Sequence, residues 1–377
     1  MTKRYCAAPW HGLHINPRGD VKTCCAGNPN VLGNLATHSV DEMLNNDYMR
    51  EVREEMKQGK FHSDYCRNCI NGSGEWAWHN ATNPNFDYEN ASSEYLYPTI
   101  FDARWNITCN QSCNYCDSNA SSSWAAITGS LYKPETRKHT DSIIDLLNDN
   151  KQNVKEVALV GGEPLLLKEN IKVLEALQDT KSKVILITNL NVDLESNKLF
   201  QLLSKHYSVG WSMSFDNIGQ QYDYVRYGGQ WEKHEQNVDK IIKLMQDKSK
   251  DHTGGIHAVY NLYNCTRLVE LKTWANSKGL TILWQQLFGP NALDVAKQND
   301  KIKILAMQEI YKLKDTFELT AHETEFFDTI LNNIQSSKAD TVDTLAFINL
   351  IETEYHPDTK GQFEQLWPEI YQALGPL

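Results

Sequence analysis

The sequence has no apolar run long enough to cross a membrane as a helix. Its first fifteen residues include Trp10, His11 and His14 and hold no uninterrupted apolar stretch, so no secretory leader is expected. The expected compartment is cytoplasmic, with no membrane partner. Basic residues are outnumbered, 37 Lys and Arg against 48 Asp and Glu, a formal net charge of −11. That balance argues against a nucleic-acid partner held by phosphate neutralisation. No internal repeat or low-complexity segment stands out. The 377 residues, 41% hydrophobic and 23% charged, suffice for two or three globular domains.

Cysteine is the residue the chain does have, nine times. Without export, disulfides are not expected, and seven of the nine stand at metal-ligand spacings. Cys109, Cys113 and Cys116 form a CxxxCxxC triplet after the apolar run Thr99 to Ile107. Three thiolates at this spacing can hold three irons of a 4Fe–4S cube and leave the fourth open to a small molecule. Electron-transfer clusters usually have four cysteines. A zinc ion completed by a neighbour such as Asp117 is the plain alternative.

Cys6, Cys24, Cys66 and Cys69 form a second group. Leu13 and Ile15 alternate with polar residues, Asn16 to Asp20 is turn-like, and Val21 to Thr23 leads back to Cys24. This hairpin would return Cys24 to Cys6. Ser39 and Glu42 fit a capping box for a helix through about Met56, carrying the chain to the CxxC of Cys66 and Cys69. Spacing alone leaves zinc and a fully ligated iron–sulfur cluster equally open. Cys25 is an alternative to Cys24, and Cys265 reads as a buried apolar residue.

From Thr99 the pattern becomes a βα repeat. Strands are expected at 99–107, 154–160, 183–188, 209–215, 255–260 and 281–287, with helices at 140–147, 171–177, 194–203, 237–245 and 268–277. In parallel barrels chemistry collects at the carboxyl ends of strands. The triplet follows strand one, Gly161-Gly162-Glu163-Pro164 follows strand two, and Asn189 ends strand three. Ser212, Ser214 and Asp216 alternate on strand four and so share a face. A ligand-free hydrogen-bonded network is the bland reading of such polar residues. A surface ion pair is the bland reading of Arg226. Gln285 and Gln286 near strand six are candidates for the same cavity. Helical patterns follow at 306–317, 322–334, 341–355 and 363–374. The segment from Gly72 to Pro98 carries Trp76, Trp78, Phe86, Tyr88, Tyr95 and Tyr97, which suit packing between domains or a substrate wall.

The triplet, with Tyr115 in the aromatic slot before its third cysteine, resembles the signature of the radical S-adenosylmethionine (SAM) superfamily. Cys6 with Pro9-Trp10, Gly19 ahead of Cys24, Gly33-Asn34-Leu35 and the CxxC resemble the auxiliary-cluster twitch/SPASM module, placed here before the barrel. The resemblance implies an α/β fold: a partial (β/α)6 TIM-type barrel with an N-terminal iron–sulfur module and a C-terminal helical extension. The expected boundaries are 1–71 for the module, 72–98 for the linker, 99–290 for the barrel and 291–377 for the extension. It implies a SAM-binding 4Fe–4S cluster on Cys109, Cys113 and Cys116, and an auxiliary 4Fe–4S cluster on Cys6, Cys24, Cys66 and Cys69. It implies SAM contacts from Tyr115, Gly161, Gly162, Glu163, Asn189, Ser212, Ser214, Asp216 and Arg226, with Glu163 on the ammonium and Arg226 on the carboxylate.

The expected function is reductive cleavage of SAM to a 5′-deoxyadenosyl radical and hydrogen abstraction from a substrate C–H. The auxiliary cluster would assist net oxidation of a peptide or protein side chain. A flavodoxin- or ferredoxin-type donor would supply the electron. Alternatives are dehydrogenation of a free polar metabolite, such as an aminosugar or nucleoside, and a non-catalytic iron–sulfur or zinc protein.

Overall fold

The computed structural model describes residues 5–27, 32–70, 86–130, 140–339 and 343–375. Trp76 and Trp78 lie outside them. The described residues build one nine-stranded sheet in the order β3-β2-β1-β4-β5-β6-β7-β8-β9. The strands are β1 (Gly12–Ile15), β2 (Asp20–Lys22), β3 (Gly33–Asn34), β4 (Ile100–Ala103), β5 (Glu156–Leu159), β6 (Lys183–Thr188), β7 (Ser208–Ser214), β8 (Asp251–Tyr260) and β9 (Ile282–Gln286). From β4 to β9 every neighbour is parallel, and helices fill the crossovers as the βα pattern predicts.

Strand burial alternates. Val157, Leu159, Val184, Leu186, Val209, Trp211 and Met213 point toward the helices and join one core with Val173, Leu199, Leu203, Val238 and Ile241. The intervening residues are half-buried and line the inner face: Asp102, Arg104, Ser212, Ser214, His257 and Gln285.

The N-terminal hairpin forms as its alternation predicts, β1 antiparallel to β2. It is not a separate body, however. β1 runs parallel to β4 in the register Gly12↔Ile100 to Ile15↔Ala103, so the barrel sheet continues into the module. Leu13, Ile15, Val21, Met43 and Leu44 belong to the barrel core.

The helix predicted from Ser39 through Met56 is two helices. The capping box is present, but Val40–Leu44 stops at Asn45, and Asn46 caps a new helix, Asp47–Lys57, by accepting from the Met49 N–H. An asparagine pair offers the backbone a stop and a start in succession. The C-terminal region is helical, with Asp300–Thr316, Ala321–Ser336, Thr344–Leu350, Gln362–Leu366 and Pro368–Leu374. The last two are separate because Pro368 begins a new helix after Trp367. A π-turn, Ile351–Tyr355, follows Leu350.

Candidate active site

The triplet loop begins where β4 ends and has almost no regular structure, so its neighbours must hold it. The Ser112 N–H donates to Tyr227 O (2.9 Å) and the Asn114 N–H to Val225 O (2.9 Å). Ser122 and Ser123 hydroxyls both donate to the Cys109 carbonyl, and the Trp124 indole N–H donates to the Cys113 carbonyl at 2.9 Å. Burial raises all three thiols: Cys116 is pushed up to about 11, Cys109 rises, and Cys113 rises furthest, although the Arg226 charge opposes it. Loading the site therefore releases protons. Asp117 is exposed and accepts from the Asn119 N–H.

The two glycines after β5 admit backbone. A Cβ on Gly162 would meet Thr108 O at 2.3 Å and Ile107 O at 2.5 Å. The close approach is thus to the irregular segment leading into the triplet, where the Glu163 N–H donates to Thr108 O at 2.7 Å. Glu163 is completely buried. Its Oε1 accepts from the Thr188 hydroxyl (2.7 Å) and the Leu165 N–H (3.0 Å), and its Oε2 accepts from the Asn189 N–H (2.7 Å). A carboxylate has about four acceptor positions, so one on Oε2 remains for a ligand cation. Burial pushes its pKa up to about 7 in spite of these donors. Asn189 completes the link, its amide donating to Asn110 Oδ1 at 2.9 Å and lying 3.9 Å from Cys109 Sγ.

Tyr115, Asp216 and Arg226 meet in one buried network. The Tyr115 hydroxyl donates to Asp216 Oδ2 at 2.6 Å, the Arg226 Nε and Nη2 donate to the same oxygen at 3.1 and 2.9 Å, and the Val259 N–H donates to Oδ1 at 2.7 Å. Arg226 also lies over the Tyr115 ring. Ser212 and Ser214 stay half-buried on the inner face, whereas Asp216 lies just past the end of β7 and is buried. Gln285 faces inward beside His257, while Gln286 lines a different small cavity with Tyr260.

Cys6, Cys24, Cys66 and Cys69 wall one small cavity, with Ala8, Pro9, Met56, Phe61 and Tyr65 as its apolar lining. Among the described residues, no three His, Cys, Asp or Glu side chains converge on a single ion. Cys25 is not in this lining. It faces Asp102 and Arg104, and burial pushes its thiol up to about 11. Because β1 and β4 are parallel, the four-cysteine cavity lies where these strands begin and the triplet lies where β4 ends. Cys265 is in the core, its thiol directed at Leu262 O. The aromatic residues 86–97 pack onto the module: Phe86 on Trp10 (5.1 Å) and Tyr97 on His11 (5.3 Å).

One polar cluster escaped sequence reasoning. His14 Nδ1 is 2.9 Å from Asp102 Oδ2, and Arg104 reaches both Asp102 oxygens at 3.3 Å. Burial would raise Asp102, but His14 and Arg104 outweigh it and hold the carboxyl below its usual range. The signal was an Asp-x-Arg alternation in the first barrel strand, where a charge on an otherwise apolar strand marks the inner face.

Among the described residues no helix is long and apolar enough to cross a membrane. No curated protein matches the chain. Two solved structures illustrate what the chain is similar to. One is native anSMEcpe with bound AdoMet, at 18% identity and TM-score 0.43, the match covering 67% of this chain and 65% of that one. The other is SuiB of Streptococcus suis bound to precursor peptide SuiA, at 13% identity and TM-score 0.41, covering 92% and 74%. The chain thus spans just under two thirds of the first structure's length. Residues 6–70 match the SPASM family model, an iron–sulfur cluster-binding domain, and residues 107–261 match the radical SAM superfamily model. With 4Fe–4S clusters and SAM as the cofactors these domains imply, the chain belongs to the radical SAM superfamily and carries a SPASM domain ahead of its barrel.

Proposed function

We propose that this enzyme oxidises a peptide or protein side chain held on the inner face of the sheet. One observation carries the reading: the Glu163–Asn189 pair ties the residual acceptor position for a ligand ammonium directly to the triplet loop at Asn110 and Cys109. Cys109, Cys113 and Cys116 would hold the SAM cluster, and Cys6, Cys24, Cys66 and Cys69 the auxiliary cluster. Bound there, these groups supply reductive cleavage of SAM, a 5′-deoxyadenosyl radical for hydrogen abstraction, and an acceptor for net oxidation.

The chain's own residues do the rest. Glu163 accepts from a ligand ammonium, and Tyr115, Asp216 and Arg226 brace the loop behind Cys113. Ser212 and Ser214 offer hydroxyls to the cofactor on one flank of the inner face. Asp102, His14 and Arg104 offer charge and donors to a substrate on the other, beside the auxiliary module. The inner face crosses nine strands, roughly 38 Å along the sheet at the usual strand spacing. That extent suits an extended chain better than a free aminosugar or nucleoside, and modification of peptides is common where a SPASM module accompanies the barrel.

The test is anaerobic reconstitution, iron and sulfide analysis, and addition of SAM and dithionite. About eight irons per chain and formation of 5′-deoxyadenosine are expected. A fully loaded protein that never cleaves SAM, with or without candidate peptides, overturns the proposal.

A further inference from the structure

The C-terminal region is in contact with the triplet loop. Its segment 352–358 reaches both walls of the triplet loop. On one wall, His356 is joined to the Ser112 hydroxyl by a 3.0 Å hydrogen bond through Nε2. The His356 ring also meets Trp124 at 5.2 Å, and Tyr355 meets Trp124 edge-on, also at 5.2 Å. Trp124 is the residue whose indole N–H holds the Cys113 carbonyl. On the other wall, Tyr227 stacks on His356 with centroids 3.9 Å apart and planes 11° apart. Tyr227 further donates to Asp358 Oδ1 at 2.7 Å, and the Tyr224 hydroxyl to Glu352 Oε1 at 3.1 Å. Residues 225 and 227 are the ones whose carbonyls receive the Asn114 and Ser112 N–H groups. His356 is thus fully buried between the two strips of chain that hold the middle of the CxxxCxxC loop.

We propose that His356 is a positioning residue for the SAM-binding cluster: it clamps Ser112 and Cys113, and so sets how firmly the triplet retains iron and presents the open site. The inference rests on the proposed function only in taking the triplet as the SAM-cluster site. The loop has no ladder of its own, so its geometry is the sum of these outside contacts. Residues that orient metal ligands from behind commonly change metal affinity by about 10–100-fold when removed. Ring stacking and the hydrogen bond make separable contributions, which the substitutions can divide.

The experiment uses the full chain, reconstituted anaerobically, with bathophenanthroline as the iron probe and the reduced-cluster EPR signal with and without SAM as the second readout. His356→Ala should release the triplet's iron at least ~10-fold faster than wild type, and the auxiliary iron at an unchanged rate. The SAM-induced change in the EPR signal should broaden or vanish. His356→Phe, which keeps the stack on Tyr227 and loses the bond to Ser112, should fall between, and Ser112→Ala should match it. Ile330→Ala, a core truncation in the helix Ala321–Ser336, is the control for general destabilisation. His356 variants with iron release and EPR signals like wild type, or no different from Ile330→Ala at equal melting temperature, overturn the inference. A wild-type chain whose triplet takes up no iron sinks the proposed function as well, and is seen before any variant is made.

Discussion

Arg226 and Asp216 form a 2.9 Å ion pair that is almost wholly withdrawn from water, directly behind the triplet loop. The Tyr115 hydroxyl donates to the same carboxylate oxygen. Removing one partner strands the other. Asp216→Ala should therefore cost about 3–5 kcal/mol, measured by urea unfolding of the apo-protein. Replacing both residues by apolar side chains of similar size should recover much of that loss, while slowing cluster loading, because the Arg226 charge opposes the burial that raises the Cys113 thiol.

Glu163 makes stability depend on pH in a direction opposite to that of a paired surface carboxylate. Its pKa rises from an ordinary 4.5 to about 7 in the folded chain, chiefly through burial. Between those values the native state binds the extra proton, so stability falls as pH rises from 4.5 to 7 and stays lowered above that. The full effect is about 3 kcal/mol. Glu163→Gln should flatten this slope in the apo-protein, although its amide N–H2 would face donors and lower stability at every pH. Unfolding of both proteins at pH 5 and pH 7.5 reads the difference. The same variant should weaken SAM binding by about 10–100-fold, the worth of one charge-assisted hydrogen bond, by calorimetric titration of the reconstituted protein.

Cys24 and Cys25 are neighbours with different surroundings. Cys24 lines the four-cysteine cavity and Cys25 turns to Asp102 and Arg104. Cys24→Ala should therefore remove about four irons per chain, and Cys25→Ala none. Iron and sulfide analysis of the two reconstituted variants settles the assignment, and equal iron in both would refute it.

Much of the architecture was legible because it rests on local signals. The six barrel strands alternate in period two, and the hairpin Leu13 to Cys24 carries its own turn. The helix Leu268–Ser277 falls on its expected bounds. What stayed hidden depends on contacts far apart in the chain. Nothing near Ile15 announces that it will lie beside Ala103. The Asn45–Asn46 break could have been read, since both residues favour caps over helix interiors. At the site, residue types were readable and partners were not. Tyr115, Asp216 and Arg226 each looked like a cofactor contact, and only the fold shows them bonded to one another. His356 lies 244 residues from Ser112, and no spacing rule joins them.

The seam between module and barrel gives the last prediction. Gly12 opens β1, and a Cβ there would lie 1.9 Å from Thr23 O and 3.1 Å from Ala8 O. Both obstacles are backbone, and Thr23 immediately precedes Cys24, so relief requires the hairpin strand to move away with its ligand. Gly12→Ala should cost at least the ~1–3 kcal/mol typical of overpacking. It should also lower auxiliary iron selectively, leaving the triplet's iron and its EPR response to SAM in place. Gly210→Ala is the matched control, because its Cβ would meet only side-chain atoms at ordinary contact, Lys183 Cε at 3.6 Å and Ile185 Cγ1 at 3.7 Å. Loss of iron from both sites in Gly12→Ala, or from neither, would mean that the shared sheet does not set the geometry of the four-cysteine cavity.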